Sequence, residues 1–535
     1  MTRLAKFFNS PLCISFGFPL IVGLIALHRG QDSNFDLLNY HYYNPGAWLN
    51  GRIGRDLAPA GLQSYFNPLL DVPYYVLSRS WPAPLLGFLF GAFQGLCGVL
   101  VYVIARRVFP ESPRSHVWLA IAGVLTADFY TEIGNTMGDN NTAPFVLAGV
   151  LCLVTALKRK AAGRRTLPLL VLGGISAGAA AGLKLTNAPY AAALGVAVLA
   201  TWPGPWFTRV RAAAVVAMGA AVGFFLVGGY WLWRMWAQFG NPLFPQFGRL
   251  FPNPLISSGG VSDTSWLPKH AWEYFVWPVL MSVQPMRVGQ LHLHSSVWAV
   301  FYVLAIAALF AWTVAKTRGA EVRAPSLSQL PSQHAKALIV WFTVVGFVLW
   351  MVLFSIARYL VPIDLLVPLA SWILVSGLRA RGRLKQSALA VLTISAVFTL
   401  TGPRHIWDHR HWGKQPFTVA TPTLADPAHT LIFMGSATPQ AWLVPFFPSA
   451  VTFAEVGGSF PAGPGYSARA QQLLNAAQHV YVLRDPTPNP WWKAGEDAKL
   501  RSLKALGVVF DEASCRTYSA TIGSEAVPYQ LCPAD

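Results

Sequence analysis

Residues 11–41 read PLCISFGFPLIVGLIALHRGQDSNFDLLNYH. Positions 11–28 carry no Asp, Glu, Lys or Arg, and roughly 20 apolar residues suffice to cross a bilayer as a helix. Arg3 and Lys6 precede the run, which gives it the outline of a signal peptide. No small-residue cleavage site follows, because Leu27-His28-Arg29 comes next, so the segment reads as an uncleaved first span. Beyond it the chain turns polar and aromatic, and an acid, Asp36, appears just past the expected membrane face.

The same alternation recurs along the chain. About eleven apolar segments have the length of a span, near residues 11–28, 83–105, 115–130, 142–157, 167–183, 187–202, 212–230, 296–315, 336–354, 360–378 and 386–402. Basic clusters fall at alternate ends: Arg106, Arg107 and Arg114; Lys158, Arg159, Lys160, Arg164 and Arg165; Arg209 and Arg211; Lys316, Arg318, Arg323 and Lys336; Arg379, Arg381, Arg383 and Lys385. All lie on one side if eleven spans are threaded, which by the positive-inside rule puts the N-terminus in the cytoplasm and the C-terminus outside. Composition agrees: 54% of residues are hydrophobic and 12% charged, against about 25% charged in soluble proteins. The net charge of +18 belongs to these short loops, which excludes nucleic acid as the reason for it. The expected outer loops are long and decorated, about 29–82 and 231–295, with a short acidic one near 131–141, so the working surface is expected outside.

Residues 1–402 therefore form a membrane module and 403–535 a domain of another kind. In the tail HTLIFMG, SAVTFAEV, AQHVYVLRD and LGVVFDEA read as short buried strands, and SARAQQLLNAA and WKAGEDAKLRSLKAL as amphipathic helices. Strands alternating with helices predict a small extracytoplasmic α/β domain. No dinucleotide-type glycine fingerprint occurs there. Cys13, Cys97 and Cys152 lie in apolar runs and read as inert core thiols. Cys515 and Cys532 lie in the tail, where an oxidising compartment would let them form a disulfide.

Several polar residues stand where a membrane protein does not ordinarily spend them. Asp36 at the outer face suits a general base; the plain alternative is a helix cap or a solvated acid. On a helix Tyr40 would share its face and His41 would not. Asp128 and Glu132 share a face if the third span continues through them. With Asp36, the acids Glu132 and Asp139 make an oxygen-rich set of the kind a divalent cation, Mg or Mn, takes; alternatively Asp139 caps the following helix. Lys184, Arg287 and Arg358 break the inside-positive trend. Cations at the outer face suit a phosphate head group, and the alternative for each is snorkelling or pairing with an acid such as Asp364.

These residues resemble the GT-C superfamily of integral membrane glycosyltransferases, in the long first outer loop with Asp36 near its start and the acidic second loop from Glu132 to Asp139. GLKLTNAPY, WLWRMWAQFGNPLFPQF and ARYLVP are similar to segments of bacterial members. The likeness spans about residues 10–402. It departs from the family pattern in lacking a tight Asp-x-Asp or Glu-x-Asp in the second loop, which puts metal dependence in doubt. Trp491-Trp492 is followed by Lys493 rather than by the Asp of oligosaccharyltransferases, so protein N-glycosylation is not implied. The resemblance implies a polyprenyl-phosphate sugar donor taken from the lipid and a lipid, glycan or protein acceptor. It implies Asp36 as base, Lys184, Arg287 and Arg358 on the phosphate, and Tyr40, His41 and Trp233 beside the substrate. The rivals are a lipid-linked sugar flippase or other transporter, which predicts matched halves that the sequence does not display, and a non-catalytic assembly protein.

Overall fold

A computed structural model describes residues 10–259, 263–292, 294–317, 330–377, 406–487 and 489–535. The expected last span, 386–402, and the basic residues Arg3, Lys6, Arg318, Arg323, Arg379, Arg381, Arg383 and Lys385 lie outside them. Among the described residues six helices are long and apolar enough to cross a membrane: Leu12–Arg29, Ala83–Val108, Asp139–Ala161, Trp206–Phe239, Ser296–Val314 and Ser332–Leu353. A bent pair, Ala357–Asp364 with Val367–Gly377 at 53°, adds a seventh if counted as one span. Ser115–Val124, Leu167–Leu183 and Leu185–Thr201 are apolar but shorter. Each of the first ten expected spans thus coincides with a helix, but only six meet the length of an unbroken crossing. The third is cut short because the helix ends at Val124 and restarts at Ala127–Thr131. Asp128 and Glu132 thus lie not on a continuation of the third span but on this separate short turn, where the Glu132 amide donates to the Asp128 carbonyl at 3.4 Å.

The Asp139–Ala161 helix is the centre of the bundle, with 72% of its span buried, whereas the Ser296–Val314 span is 11% buried and peripheral. Apolar burial alone cannot hold helices together in lipid, where close packing takes over. The Leu167–Leu183 and Trp206–Phe239 helices meet along a glycine seam. Gly174, Gly178 and Gly182 face Gly219, Ala220, Gly223 and Phe224, and a Cβ on Gly182 would lie 2.6 Å from the Phe224 carbonyl oxygen. Only hydrogen at these positions lets the two backbones touch.

Among the described residues there are ten strands: β1 (Gln31–Asp32), β2 (His409–Arg410), β3 (Phe417–Val419), β4 (Thr430–Met434), β5 (Thr452–Ala454), β6 (His479–Arg484), β7 (Arg516–Tyr518), β8 (Ala520–Ile522), β9 (Glu525–Ala526) and β10 (Tyr529–Ala534). The tail is the expected α/β layer. Its main sheet runs β5-β4-β6-β10-β7, with β4, β5 and β6 parallel and β10 antiparallel to both neighbours. Helices Pro464–Ala476 and Lys493–Ala505 stand where the sequence placed them. One expected strand is corrected. LGVVFDEA is a helix exit, with Gly507 at φ +91°, and it meets the sheet only through a bridge from Phe510 to Ala534. Its apolar residues pack the end of a helix, which a short apolar run cannot distinguish from a strand. Arg516 pairs with Leu531, so Cys515 and Cys532 come face to face and form a disulfide.

The tail is fused to the first long loop. β1 pairs with β2, Leu57 bridges to Ala454, and Trp412 donates its indole N–H to the Leu27 carbonyl at 2.7 Å. Arg52, 1% exposed, forks onto Asp56 at 2.9 Å and donates to the carbonyls of Pro448 and Val451, while Asp56 accepts from the Phe453 amide. Loop residues such as Tyr42, Tyr43 and Tyr75 share one hydrophobic core with Phe417, Trp442 and Phe453 of the tail. The first loop and the tail therefore lie on one side of the bundle.

Two measurements check this account. Gly178→Val forces the seam apart and is expected to cost about 3 kcal/mol, read as a lowered melting temperature in detergent. Cys515→Ser opens a loop of sequence separation 17 and is expected to cost about 3 kcal/mol; peptide mapping of the wild-type protein should find neither thiol free.

Candidate active site

The first loop is tied to the second before it reaches Asp36. Arg29 donates to the carbonyls of Tyr130, Thr131 and Ile133. Asp32 accepts from the Thr136 amide and hydroxyl at 2.7 and 2.8 Å, and Asn34 reaches Asn135 at 2.9 Å. Asn34 also caps the Leu37 amide. The next turn, Leu37–His41, is a π-helix closed by the Tyr42 amide on the Leu37 carbonyl. An α-helix would set His41 off the face of Asp36, as the sequence suggested. The wider π turn carries more residues per turn, and Asp36, Tyr40 and His41 line one cavity together.

Asp36 Oδ2 lies 2.7 Å from Arg358 Nη1. Arg358 Nη1 is also 3.8 Å from Asp139 Oδ2, which Lys184 Nζ approaches to 2.6 Å. The result is an alternating row: carboxylate, guanidinium, carboxylate, ammonium. Local backbone explains each position. Lys184 sits in extended backbone between the Leu167–Leu183 helix and the turn Leu185–Asn187, and it also holds the Met137 carbonyl at 2.7 Å. Gly138 reaches φ +95° to start the helix at Asp139; a Cβ there would strike Leu70 at 2.9 Å. Arg358 follows Ser355, a non-glycine residue at φ +52°. Such strain is uncommon away from functional sites, and here the reversal it makes aims Arg358 inward. Arg358 pairs with Asp36 and Asp139, not with Asp364.

Burial alone would push the Asp36 carboxyl upward. Arg358, then His41 and Lys184, outweigh burial and hold it below the ordinary range. Asp71 lies 2.8 Å from His41 Nδ1; burial raises its carboxyl, with His41 opposing. Asp71, in NPLLDVPYY, was missed because it follows an apolar run with nothing in sequence to connect it to His41. Tyr359 was missed too; its ring lies under both Arg358 and Lys184, at 5.0 and 5.3 Å.

These groups open into a cavity of about 1410 Å³ that runs from the bundle to the tail. Asp36, Tyr40, His41, Asp71, Lys184 and Arg358 line it. Three expected residues stand elsewhere. Arg287 is committed to Glu273 at 2.9 Å and lies over the Trp277 ring, because Glu273 starts the helix just before it. Trp233 is 62% exposed on the outer face of the Trp206–Phe239 helix. Trp231, two positions earlier and buried, is the cavity residue. Glu132 is buried outside the lining; burial, then Asp139, pushes it toward its protonated form, with Lys184, Arg358 and the Asn140 amide opposing.

The carboxylates do not fit a divalent cation as they stand. Among the described residues no group of three or more His, Cys, Asp or Glu side chains is placed to hold a metal. A hard cation needs several oxygens free of competing charge, whereas Asp139 Oδ2 already faces Lys184 and Arg358.

Fold and cavity together define a multi-pass membrane protein with a buried, mixed-charge chamber roofed by an α/β domain. No family model matches the chain, and no curated protein matches it. Among solved structures it is similar to ArnT from Cupriavidus metallidurans. Against the crystal structure of ArnT bound to undecaprenyl phosphate, identity is 12% and the TM-score 0.48, over 98% of this chain and 97% of that one. Against the apo crystal structure identity is 11% and the TM-score 0.42, with the same coverage. Likenesses this distant establish neither family nor activity.

Removing Arg358 tests the electrostatics directly. Arg358→Gln strips the largest opposing charge from a buried carboxylate, which is expected to cost roughly 3 kcal/mol near neutral pH. The native Asp36 carboxyl is depressed, so its ion pair stabilises above the unfolded value of about 3.9 and is lost as pH falls through the lower folded value. In the variant Asp36 takes up its proton at higher pH. The gap in melting temperature between wild type and variant should therefore be widest near pH 7 and narrow steadily toward pH 3.

Proposed function

We propose that this chain is an inverting glycosyltransferase of the GT-C type, moving a sugar from a polyprenyl-phosphate donor to an acceptor hydroxyl on the outer face of the bacterial inner membrane. The observation that carries the proposal is the cavity in which Asp36, Arg358 and Lys184 stand together, with Arg358 Nε buried and unpartnered among the described residues. An unclaimed guanidinium N–H and a nearby ammonium are what a phosphate monoanion recruits.

In this reading the donor phosphate binds Arg358 Nε and Lys184 Nζ. Competition for Arg358 loosens its hold on Asp36 and leaves the carboxylate available to the acceptor. The acceptor oxygen attacks the anomeric carbon as its proton passes to Asp36. The bond from the anomeric carbon to the phosphate oxygen breaks, and the electron pair leaves with polyprenyl phosphate, whose charge Arg358 and Lys184 stabilise. One displacement inverts the anomeric centre. Tyr40, His41 and Trp231 wall the sugar's place, and Phe224, Leu353 and Phe354 supply apolar lining suited to the prenyl chain. The N-terminus is cytoplasmic and the tail extracytoplasmic.

A lipid-linked sugar flippase is the second reading, supported by the bent pair Ala357–Asp364 and Val367–Gly377, whose 53° break follows the arginine. Radiolabelled polyprenyl-phosphate sugars in membranes holding wild type or Asp36→Asn separate the two. Transfer by wild type and a loss of 10²–10⁴-fold in the variant, the usual range for a lost general base, is the expected result. Label that crosses the bilayer still attached to its carrier would favour the flippase.

A further inference from the structure

The tail sheet has an edge that opens on the cavity. In open parallel sheets ligands bind outside the carboxyl ends of the strands, where the strand order reverses direction. Here β4 passes to β5 on one side and β6 lies on the other side of β4. Residues that follow each of these three strands line the same cavity as Asp36: Thr438 and Gln440 after β4, Glu455 after β5 and Trp492 after β6.

The chemistry at that edge is unfinished. Gln440 and Glu455 are 8% and 6% exposed. Among the described residues Gln440 Oε1, Glu455 Oε2 and Thr438 Oγ1 are buried and have no hydrogen-bond partner. The Gln440 and Glu455 oxygens accept hydrogen bonds, so their missing partner is a donor, and the Thr438 hydroxyl can both donate and accept, as a sugar hydroxyl does. Lys499 pairs with the other Glu455 oxygen and with the Ser436 carbonyl at 2.7 Å, so the carboxylate charge is already neutralised and a cation gains little there. Trp492 stacks on Phe35, ring centroids 5.5 Å apart, and Phe35 is the neighbour of Asp36. Acceptor atoms in want of hydroxyl donors, a neutral setting and an aromatic wall match a sugar ring.

We propose that this edge binds a neutral carbohydrate and that it holds the acceptor. The word acceptor rests on the glycosyl-transfer reading; the carbohydrate site does not. The acceptor sugar would lie on the tail side of Asp36, with the donor phosphate on the bundle side at Arg358 and Lys184.

The test uses the full chain in lipid nanodiscs and a panel of methyl glycosides of common neutral hexoses and N-acetylhexosamines, with their octyl glycosides as a second arm. Saturation-transfer NMR and Trp fluorescence titration measure binding. At least one sugar should bind wild type, with its dissociation constant raised ten-fold or more by Thr438→Val and by Glu455→Gln. Tighter binding of the octyl arm identifies a lipid-borne glycan; equal binding identifies a free or protein-borne one. Thr438→Val is near-isosteric, so it keeps the test open should Glu455→Gln misfold. Binding by no sugar, or binding that neither variant weakens, overturns the proposal. In turnover assays the variants should raise the acceptor KM and leave the donor KM within two-fold, and a matching rise in the donor KM overturns the acceptor assignment. Sugar binding without transfer from any donor would leave the site standing and remove the glycosyltransferase.

Discussion

The contact between Asp36 and Arg358 is the constraint around which the membrane half is arranged. Neither charge tolerates burial alone, and neither can be satisfied by its own element. Asp36 belongs to the first loop, Arg358 to a turn between late helices, Asp139 to the start of the central helix and Lys184 to the end of another. One row of alternating charge at 2.7, 3.8 and 2.6 Å therefore fixes the relative positions of four segments distant in sequence. Much of the surrounding detail exists to make those positions reachable: the π turn at Leu37–His41, the left-handed Gly138 and the strained Ser355.

What could be read from the sequence follows from which signals are local. Apolar runs located ten helices, because span length is a local property. The charged residues that break the basic-loop rule led to Lys184 and Arg358, because a cation at the wrong membrane face has no cheap explanation. The same signal picked out Arg287, whose acidic partner Glu273 lies one helix earlier and leaves it a structural role. Facing was less legible. Trp233 and Trp231 are equivalent as text, and only the packing of the Trp206–Phe239 helix decides which is buried. His41 was displaced by one kind of turn replacing another. Asp71 and Tyr359 carried no signal, since their significance is a distance to residues elsewhere in the chain.

The tail was legible as a class and wrong in one strand. LGVVFDEA has the composition of a buried strand, yet its apolar residues serve a helix exit at Gly507. The strand that completes the sheet, β10, holds Pro533 near the chain end and reads poorly as one. Its place is set by long-range pairing with β6 and β7 and by the disulfide to Cys515. The fusion of tail and first loop into one core was invisible, because Arg52, Asp56 and the Phe453 amide meet across hundreds of residues.

The glycine seam has a further meaning for the geometry of the chamber. Lys184 is the first residue past the helix that carries Gly174, Gly178 and Gly182, and Trp231 lies on the helix against which those glycines rest. With backbones in direct touch there is no cushion of side chains to absorb displacement, and the two helices behave mechanically as a single plate. That plate presents an ammonium at one point and an indole at another with a fixed separation. The gauge of the chamber is thus cut by atoms that are missing: a row of absent methyl groups, running from the bundle up to the cavity wall at Gly182, sets the span between the charge that would grip a phosphate and the wall beside it.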